Sequence, residues 1–317
     1  MDYTSPYIWP NPAFPFREYY DGPECRIFII ENIHHNWEWF RDYHKQFRDN
    51  DIFLVYCGWY FDDFFAKQAN IIFDGLSMKR KNFFMMFNSE HEMENFEVTG
   101  LPGDIINHNC WLDTTSFGVM EGTEKIYDAI YTARLSPFKR HELAVKVPNL
   151  ALVAGLDHGN TSDKPVPPHA YRNERILTPD EVCEKINQSH CGLLLSAAEG
   201  ACFSSSEYLL AGTPVVSTKC FGGRDVWYND YNSIVCEPDP DAIRDAVAYF
   251  KENPRDPLRI RQDHIDLAQI HRARFVKALG DIFARFGVDK DAQTFFDEKY
   301  MHKMRRSYKP DFDVIFG

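Results

Sequence analysis

The chain has 317 residues, of which 44% are hydrophobic and 26% are charged, and this length suffices for two domains that each bury a core. The formal net charge of −12 argues against a nucleic-acid partner, because binding to phosphate backbones needs clustered lysine and arginine. No apolar run approaches the roughly 20 residues of a membrane-spanning helix, and the first residues lack the features of a signal peptide. We therefore expect a cytoplasmic protein.

Eight cysteines are scattered along the chain, without close Cys-x-x-Cys pairs or the Cys/His spacing of a zinc site. We expect buried free thiols in a reducing compartment, since free cysteine often packs as a small core residue. One short basic cluster occupies residues 301–309. Two roles are open for it, a solvated helix face and a peripheral contact with an anionic membrane surface.

In the first part of the chain, apolar runs typical of buried strands alternate with helical patterns. The predicted strands are 26–30, 52–56, 82–87 and a short one near 105–106, and the predicted helices are 35–47, 61–76 and a short helix before the last strand. Alternation of this kind indicates a parallel sheet with right-handed crossovers.

Residues 113–124 are less regular and form a candidate linker, after which the alternation resumes. The predicted strands are 128–133, 150–154, 192–196, 214–217 and 233–236, and the predicted helices are 139–145, 179–189, 205–211, 239–252 and a helix from His264 onward. The pattern predicts a second doubly wound α/β domain, with a ligand cleft at the carboxyl ends of the two sheets. Neither half has a Gly-x-Gly-x-x-Gly fingerprint or a Walker-type phosphate loop, which argues against a nicotinamide or flavin dinucleotide.

The most informative stretch, 196–207, has the pattern of a strand end, a loop and a helix start. Glu199 lies in the loop at the strand's carboxyl end, where it is either solvated or directed into the cleft. Gly200 lets the backbone approach a ligand closely. The amides that follow lie at a helix N-terminus, a natural site for the negative charge of a diphosphate.

Glu207 has a structural alternative. Ser204 and Glu207 have the spacing of a capping box, in which the serine caps the helix and the glutamate bonds back to the cap amide. The pattern alone favours the cap over a role in ligand binding.

Several segments between about residues 105 and 250 resemble, in the right order, the retaining glycosyltransferases of family 4 (glycosyl transferases group 1), which have the two-domain GT-B fold. Glu199 and Glu207 have the spacing of that family's paired glutamates, and residues 209–216 are similar to its A-x-G-x-P-V-V run. Arg134 and Lys139 match its G-R-L-x-x-x-K element, and residues 221–225 resemble its Gly-Gly turn.

The resemblance implies two Rossmann-like doubly wound domains facing across a cleft. A short acceptor domain would span residues 1–120, a nucleotide-sugar donor domain 121–291, and a terminal segment, 292–317, would cross back to the first domain. Arg134 and Lys139 would neutralise the donor diphosphate as its bond to the sugar breaks. Glu207 would accept hydrogen bonds from the ribose. The donor sugar would be held by Glu199 and the segment after it, made of Gly200, Ala201, Cys202 and Phe203.

The implied activity is transfer of a hexose-type sugar from a nucleoside-diphosphate sugar to a saccharide, lipid or protein acceptor, with retention of configuration and without a bound metal or cofactor. The lack of an Asp-x-Asp pair in the second half agrees with this, because Asp239 and Asp241 open a helix and are better explained as its cap. Two alternatives stay open, another GT-B activity such as a sugar-nucleotide epimerase or a phosphorylase, and a non-catalytic nucleotide-sugar-binding protein.

Three positions depart from the family pattern in ways that bear on the donor sugar. Ala133 and Arg140 stand where the family usually has glycine, and the segment around Cys202 differs from its G-F-G run. Acceptor-site candidates at strand ends of the first half are Asn32, His34, His35, Trp59, Tyr60, Ser89 and His91.

Overall fold

The computed structural model describes residues 16–31, 41, 44–76, 79–112, 114–154 and 166–300. These residues form two compact units. The first contains the described residues up to 112 and those from Ala268 onward, and the second runs from Thr114 to Leu267. From the sequence alone, the domain boundaries are instead expected at residues 120 and 291.

The first unit is built on a five-stranded sheet in the order β1-β2-β3-β4-β5. Its strands are β1 (Phe16–Asp21), β2 (Arg26–Glu31), β3 (Asp51–Tyr56), β4 (Phe83–Phe87) and β5 (Gly103–Ile105). The last four pair in parallel, as predicted, whereas β1 pairs with β2 antiparallel. We did not predict β1, because its short Tyr-rich sequence carries no clear alternation.

Among the described residues of this unit, two helices follow parallel strands, α1 (Asp63–Leu76) and α2 (Glu90–Phe96). One face of the sheet buries an aromatic stack, in which the Phe53 ring lies 5.8 Å from Phe28 and 4.8 Å from Phe83. The predicted helix at 35–47 lies mostly outside the described residues, and His44–Gln46 forms a 3-10 turn at its end.

A buried ion pair joins the starts of β2 and β3. The Arg26 guanidinium donates to both carboxylate oxygens of Asp51, at 2.8 and 2.6 Å. Replacing Arg26 by methionine leaves the Asp51 carboxylate buried without its countercharge, so we expect about 3–5 kcal/mol of destabilisation. Urea unfolding measures it, and the double variant Arg26→Met/Asp51→Leu, which has no unpaired charge, should recover most of the loss. An Arg26→Met protein as stable as the wild type would contradict this reading.

The second unit contains a six-stranded sheet in the order β13-β11-β9-β6-β7-β8, whose strand pairs are all parallel. The strands, in chain order, are β6 (Tyr127–Thr132), β7 (Leu150–Val153), β8 (Tyr171–Arg172), β9 (Ser189–Leu194), β11 (Val215–Thr218) and β13 (Ser233–Cys236). Two short strands, β10 (Ala198–Glu199) and β12 (Phe221–Gly222), pair with each other separately. This is the doubly wound order that the sequence predicts.

The helices of the rest of the chain are α3 (Pro179–Asn187), α4 (Phe203–Leu210), α5 (Pro240–Glu252), the long α6 (Pro257–Phe286) and α7 (Ala292–Tyr300). The division between the units falls inside α6. Beyond it, α6 packs on the first unit, where Phe275 contacts Trp111 and Arg272 donates to the carbonyl oxygen of Cys110, at 2.6 Å. No helix among the described residues is long and apolar enough to cross a membrane.

The predicted helix at 139–145 is wrong. Two short 3-10 turns, Pro137–Lys139 and His141–Ala144, take its place, and Arg140 separates them with a left-handed backbone. The backbone amides of Lys139 and Leu143 each bond to a carbonyl three residues earlier, so no α-helical ladder forms.

Candidate active site

The candidate site is built by loops at the carboxyl edge of the second sheet. Residues 133–140 follow β6, 195–202 follow β9, and 219–225 follow β11. Because β6, β9 and β11 are parallel neighbours, their carboxyl ends lie along one edge. Parallel α/β sheets bind ligands at this edge, which is where the sequence analysis expects the ligand.

Lys139 and Glu199 form an ion pair across this edge. Both side chains are largely withdrawn from water, with exposures of 12% and 7%. The phenol of Tyr131 donates to the carbonyl oxygen of Lys139, which fixes the backbone beneath the ammonium group. The structure thus brings together two of the predicted site residues from loops sixty positions apart.

A chain of hydrogen bonds holds the Glu199 carboxylate in place. The Ser196 hydroxyl donates to the Glu199 carboxylate at 2.7 Å, and Arg224 donates to the Ser196 hydroxyl at 3.3 Å. The Arg224 guanidinium is completely buried and also donates to the carbonyl oxygens of Leu194, Ser196 and Thr218. Arg224 therefore ties the ends of β9 and β11 together under the site.

Helix α4 begins at this edge without a side-chain cap. Its N-cap residue is Cys202, with φ 55° and ψ 90°. Ser204 lies inside the helix, where its hydroxyl donates to the carbonyl oxygen of Thr132 at 3.0 Å. The capping-box interpretation of Ser204 and Glu207 is therefore wrong, because the serine bonds back to the end of β6 instead. Burial raises the pKa of the Cys202 thiol to about 11, so it is protonated at neutral pH.

Glu207 lies within α4 and has a carboxylate with no hydrogen-bond or ion-pair partner among the described residues. Some of the side chain stays accessible to solvent, but dense protein surrounds the carboxylate. This burial raises its pKa to about 7. An unpaired, half-accessible carboxylate is suited to accept hydrogen bonds from a polar ligand.

Arg134 is exposed, and its guanidinium carbon lies 5.1 Å from the centre of the Phe138 ring. The Lys139 ammonium lies 5.0 Å from the same ring. Two cations from one loop thus flank Phe138, and the Arg134 guanidinium has no ion-pair partner among the described residues. An anionic ligand could be held by such a loop.

A glycine in β9 sets the position of α4. A side-chain carbon added at Gly192 would overlap the ring of the fully buried Tyr208, whose phenol oxygen accepts from the Thr132 amide at 2.6 Å. We therefore expect Gly192→Ala to lower the free energy of unfolding by about 1–3 kcal/mol, measured by denaturant titration. Gly122→Ala is a useful contrast, because space is open there and only its positive φ of 74° opposes the change. Equal stability of Gly192→Ala and the wild type would refute the close-packing argument.

Three residues that build this site were not assigned from the sequence. Arg140 appeared only as a departure from glycine, Arg224 only as part of a resembling turn, and Ser196 only as the end of a strand. The roles of Arg140 and Arg224 depend on contacts between loops far apart in the chain, for which a single sequence gives no spacing signal.

The acceptor-site candidates of the first unit do not form a single cluster of contacts among the described residues. Trp59 and Tyr60 are partly exposed and lie against each other, with ring centres 5.5 Å apart, and His91 is exposed. Ser89 is the N-cap of α2 and accepts from the Glu92 amide, which is a structural role. Asn32, His34 and His35 lie outside the described residues.

All eight cysteines are free, and five of them are buried. Within the described ranges, no group of three His, Cys, Asp or Glu side chains is arranged to hold a metal ion.

The family described as "Glycosyl transferases group 1" matches residues 177–265. This segment includes Glu199, Glu207 and the Gly-Gly turn. No curated protein matches the chain.

Several solved structures are similar to this chain at low sequence identity. Sucrose-phosphate synthase from Thermosynechococcus elongatus superposes with a TM-score of 0.61 at 13% identity, over 82% of this chain and 74% of that one. Anabaena HepE, solved in complex with UDP, gives 0.53 at 14% identity over 78% and 71%. The pneumococcal O-GlcNAc transferase GtfA, solved with UDP and GlcNAc, gives 0.52 at 12% identity over 79% and 55%.

The structural likeness shows the fold, and the family match over residues 177–265 shows the class of activity, glycosyl transfer. The chain is therefore a glycosyltransferase with the GT-B fold, and residues 177–265 form its glycosyl transferases group 1 segment.

Proposed function

We propose that the chain transfers a hexose-type sugar from a nucleoside-diphosphate sugar, bound at the carboxyl edge of the second sheet, to a saccharide, lipid or protein acceptor. The observation that carries this proposal is the pairing of Lys139 with Glu199 at that edge. Transfer needs a cation at the departing diphosphate and a polar group at the sugar, and these two side chains supply both from neighbouring loops.

The roles of the donor-site residues follow from their surroundings. Lys139 and Arg134 bind the diphosphate, because both are cations on the loop after β6 and Arg134 has no ion-pair partner among the described residues. Glu207 accepts hydrogen bonds from the ribose hydroxyls through its unpaired carboxylate. Glu199, Gly200 and the amides of Ala201, Cys202 and Phe203 hold the sugar at the start of α4.

The reaction course belongs to the same proposal. The acceptor attacks the anomeric carbon from the face that the diphosphate leaves, so configuration is retained, and the departing phosphate takes the acceptor's proton. The cations of the β6 loop stabilise the charge that develops on the phosphate, and no divalent metal is required. The first unit, which includes the chain from Ala268 onward, binds the acceptor. UDP-sugars are the donors to test first, since HepE has been solved in complex with UDP-glucose.

Proton NMR of candidate UDP-, GDP- and ADP-hexoses, incubated with the protein and saccharide acceptors in EDTA, tests this proposal. We expect loss of the donor anomeric signal, release of the nucleoside diphosphate and a new glycosidic signal of the same anomeric configuration. A changed nucleotide sugar formed without acceptor would favour an epimerase. Donor binding without turnover across the panel would favour a binding protein, and an inverted product would exclude retention.

A further inference from the structure

Arg140 has an unusual backbone conformation for a residue with a side chain. Its φ of 52° and ψ of 48° lie in the left-handed region. Among the described non-glycine residues, only Arg140 and Cys202 have a positive φ. This region is disfavoured because Cβ approaches the following carbonyl oxygen. Strain of this kind persists only where the surroundings hold it in place, and it is concentrated at functional sites.

The Arg140 side chain makes contacts that hold this conformation. Its Nε donates to the carbonyl oxygen of Leu195, just after β9, and its Nη2 donates to the hydroxyl of Thr218, at the end of β11, at 2.6 Å. The guanidinium therefore anchors the β6 loop to the ends of two neighbouring strands. Burial and the nearby Arg224 lower its pKa, but an arginine stays charged at any physiological pH.

Arg140 directly follows Lys139, whose ammonium group pairs with Glu199. Lys139 ends one 3-10 turn and His141 begins the next, so the backbone of Arg140 sets the direction in which the chain leaves Lys139. The Tyr131 phenol holds the Lys139 carbonyl from one side. The Arg140 side chain anchors the next residue of the chain, so both sets of contacts act on the peptide bond between Lys139 and Arg140.

We propose that Arg140 is a positioning residue, whose anchored left-handed backbone holds the Lys139 ammonium beside Glu199, where the donor's second phosphate binds. This inference rests on the proposed function. Glycine would satisfy the backbone conformation at position 140. The arginine side chain adds a contribution to phosphate recognition that glycine cannot make.

The variants Arg140→Gly, Arg140→Ala and Arg140→Lys separate this role from simple stabilisation. Glycine adopts the left-handed conformation freely, so Arg140→Gly removes the anchor without adding strain. We would measure the melting temperature and, by calorimetry, the dissociation constants of UDP and UMP, of GDP and GMP, and of ADP and AMP. The ratio within each pair reports the contribution of the second phosphate.

For Arg140→Gly we expect a melting temperature close to that of the wild type and a diphosphate preference reduced about 10-fold or more, because a small displacement of a binding group is costly. Arg140→Ala should lose the same preference and also melt earlier. Arg140→Lys, which can reach one of the two oxygen partners, should have a diphosphate preference between those of the wild type and Arg140→Gly.

An Arg140→Gly protein that keeps the wild-type diphosphate preference would overturn the inference, whether or not its melting temperature falls. A wild-type protein that binds none of the diphosphates would instead refute the proposed donor site itself.

Discussion

Replacing Lys139 by methionine is expected to lower kcat by about 100- to 1000-fold, the usual effect of removing one group that stabilises developing charge. The ammonium group lies on the β6 loop, is nearly buried, and is held beside Glu199. In the proposed reaction it offsets negative charge on the departing phosphate, which is greater in the transition state than in the bound donor. KM should therefore change less than kcat. The measurement is release of the nucleoside diphosphate under saturating donor.

Two controls separate the lost catalysis from damage to the site. Lys139→Met leaves Glu199 without its countercharge, which is destabilising by itself. The double variant Lys139→Met/Glu199→Gln removes both charges, so it should recover stability in thermal unfolding but not kcat. Lys139→Arg keeps a cation and should retain more activity than Lys139→Met. A Lys139→Met enzyme with kcat within about threefold of the wild type would contradict the proposed role.

The second large effect expected is a pH dependence of donor affinity that originates at Glu207. Burial raises the pKa of this carboxyl to about 7 in the ligand-free protein, and ribose hydroxyls bind best to its ionised form. UDP-glucose should therefore bind about 10-fold more weakly at pH 6 than at pH 8. UDP-glucose is the suitable ligand for calorimetry, because its phosphodiester groups do not titrate in this range.

Glu207→Gln keeps the size of the side chain and removes its titration. This variant should bind UDP-glucose with the same affinity at pH 6 and pH 8, and about 10- to 100-fold more weakly than the wild type at pH 8. If the wild type and Glu207→Gln showed parallel pH profiles, Glu207 would not be the group that controls affinity.

Stability without ligand should change with pH in the opposite direction. The unfolded carboxyl releases its proton near its ordinary pKa of 4.5, whereas the folded one keeps it until about pH 7. Between these values the folded state binds more protons, so stability falls as pH rises, relative to Glu207→Gln. Urea unfolding of both proteins at pH 5 and pH 7.5 measures this difference. Donor binding is thus favoured by the ionised form of Glu207, whereas the stability of the ligand-free fold is favoured by the protonated form, as expected of a buried functional carboxylate.

The parallel sheets were predictable because their strands carry their own signal. Most of β3 and the last residues of β9 are apolar runs that end at a loop, which is the pattern of a strand buried on both faces. Turn residues and helices with one apolar face lie between these strands, so the alternation of strands and helices was clear in the sequence. The edge strand β1 and the paired 3-10 turns around Arg140 were not predictable in this way, since they depend on tertiary contacts rather than on local periodicity.

Some residues of the candidate site were also predictable from the sequence, whereas others depend on tertiary contacts. Glu199, Glu207, Arg134 and Lys139 have a spacing that a sequence can show, and the structure brings Lys139 and Glu199 into contact. Arg140 and Arg224 act through backbone carbonyl oxygens, which every residue has, so no residue type at a given spacing indicates them. The capping-box interpretation of Glu207 failed because Ser204 has a competing acceptor, the carbonyl of Thr132, which only the packed sheet provides.

The most direct test of the donor site is thermal unfolding of the wild type, Arg134→Ala and Glu207→Ala against UDP, GDP, ADP, TDP and CMP sugars, without metal. We predict that one nucleoside-diphosphate sugar stabilises the wild type by about 2.7 kcal/mol at one hundred times its dissociation constant. At the same concentration, both variants should be stabilised much less, because a dissociation constant raised 10- to 100-fold leaves only about 1.4 to 0.4 kcal/mol. Folded wild-type protein that no donor stabilises, or equal stabilisation of all three proteins, would contradict the assignment of the donor site to this edge of the sheet.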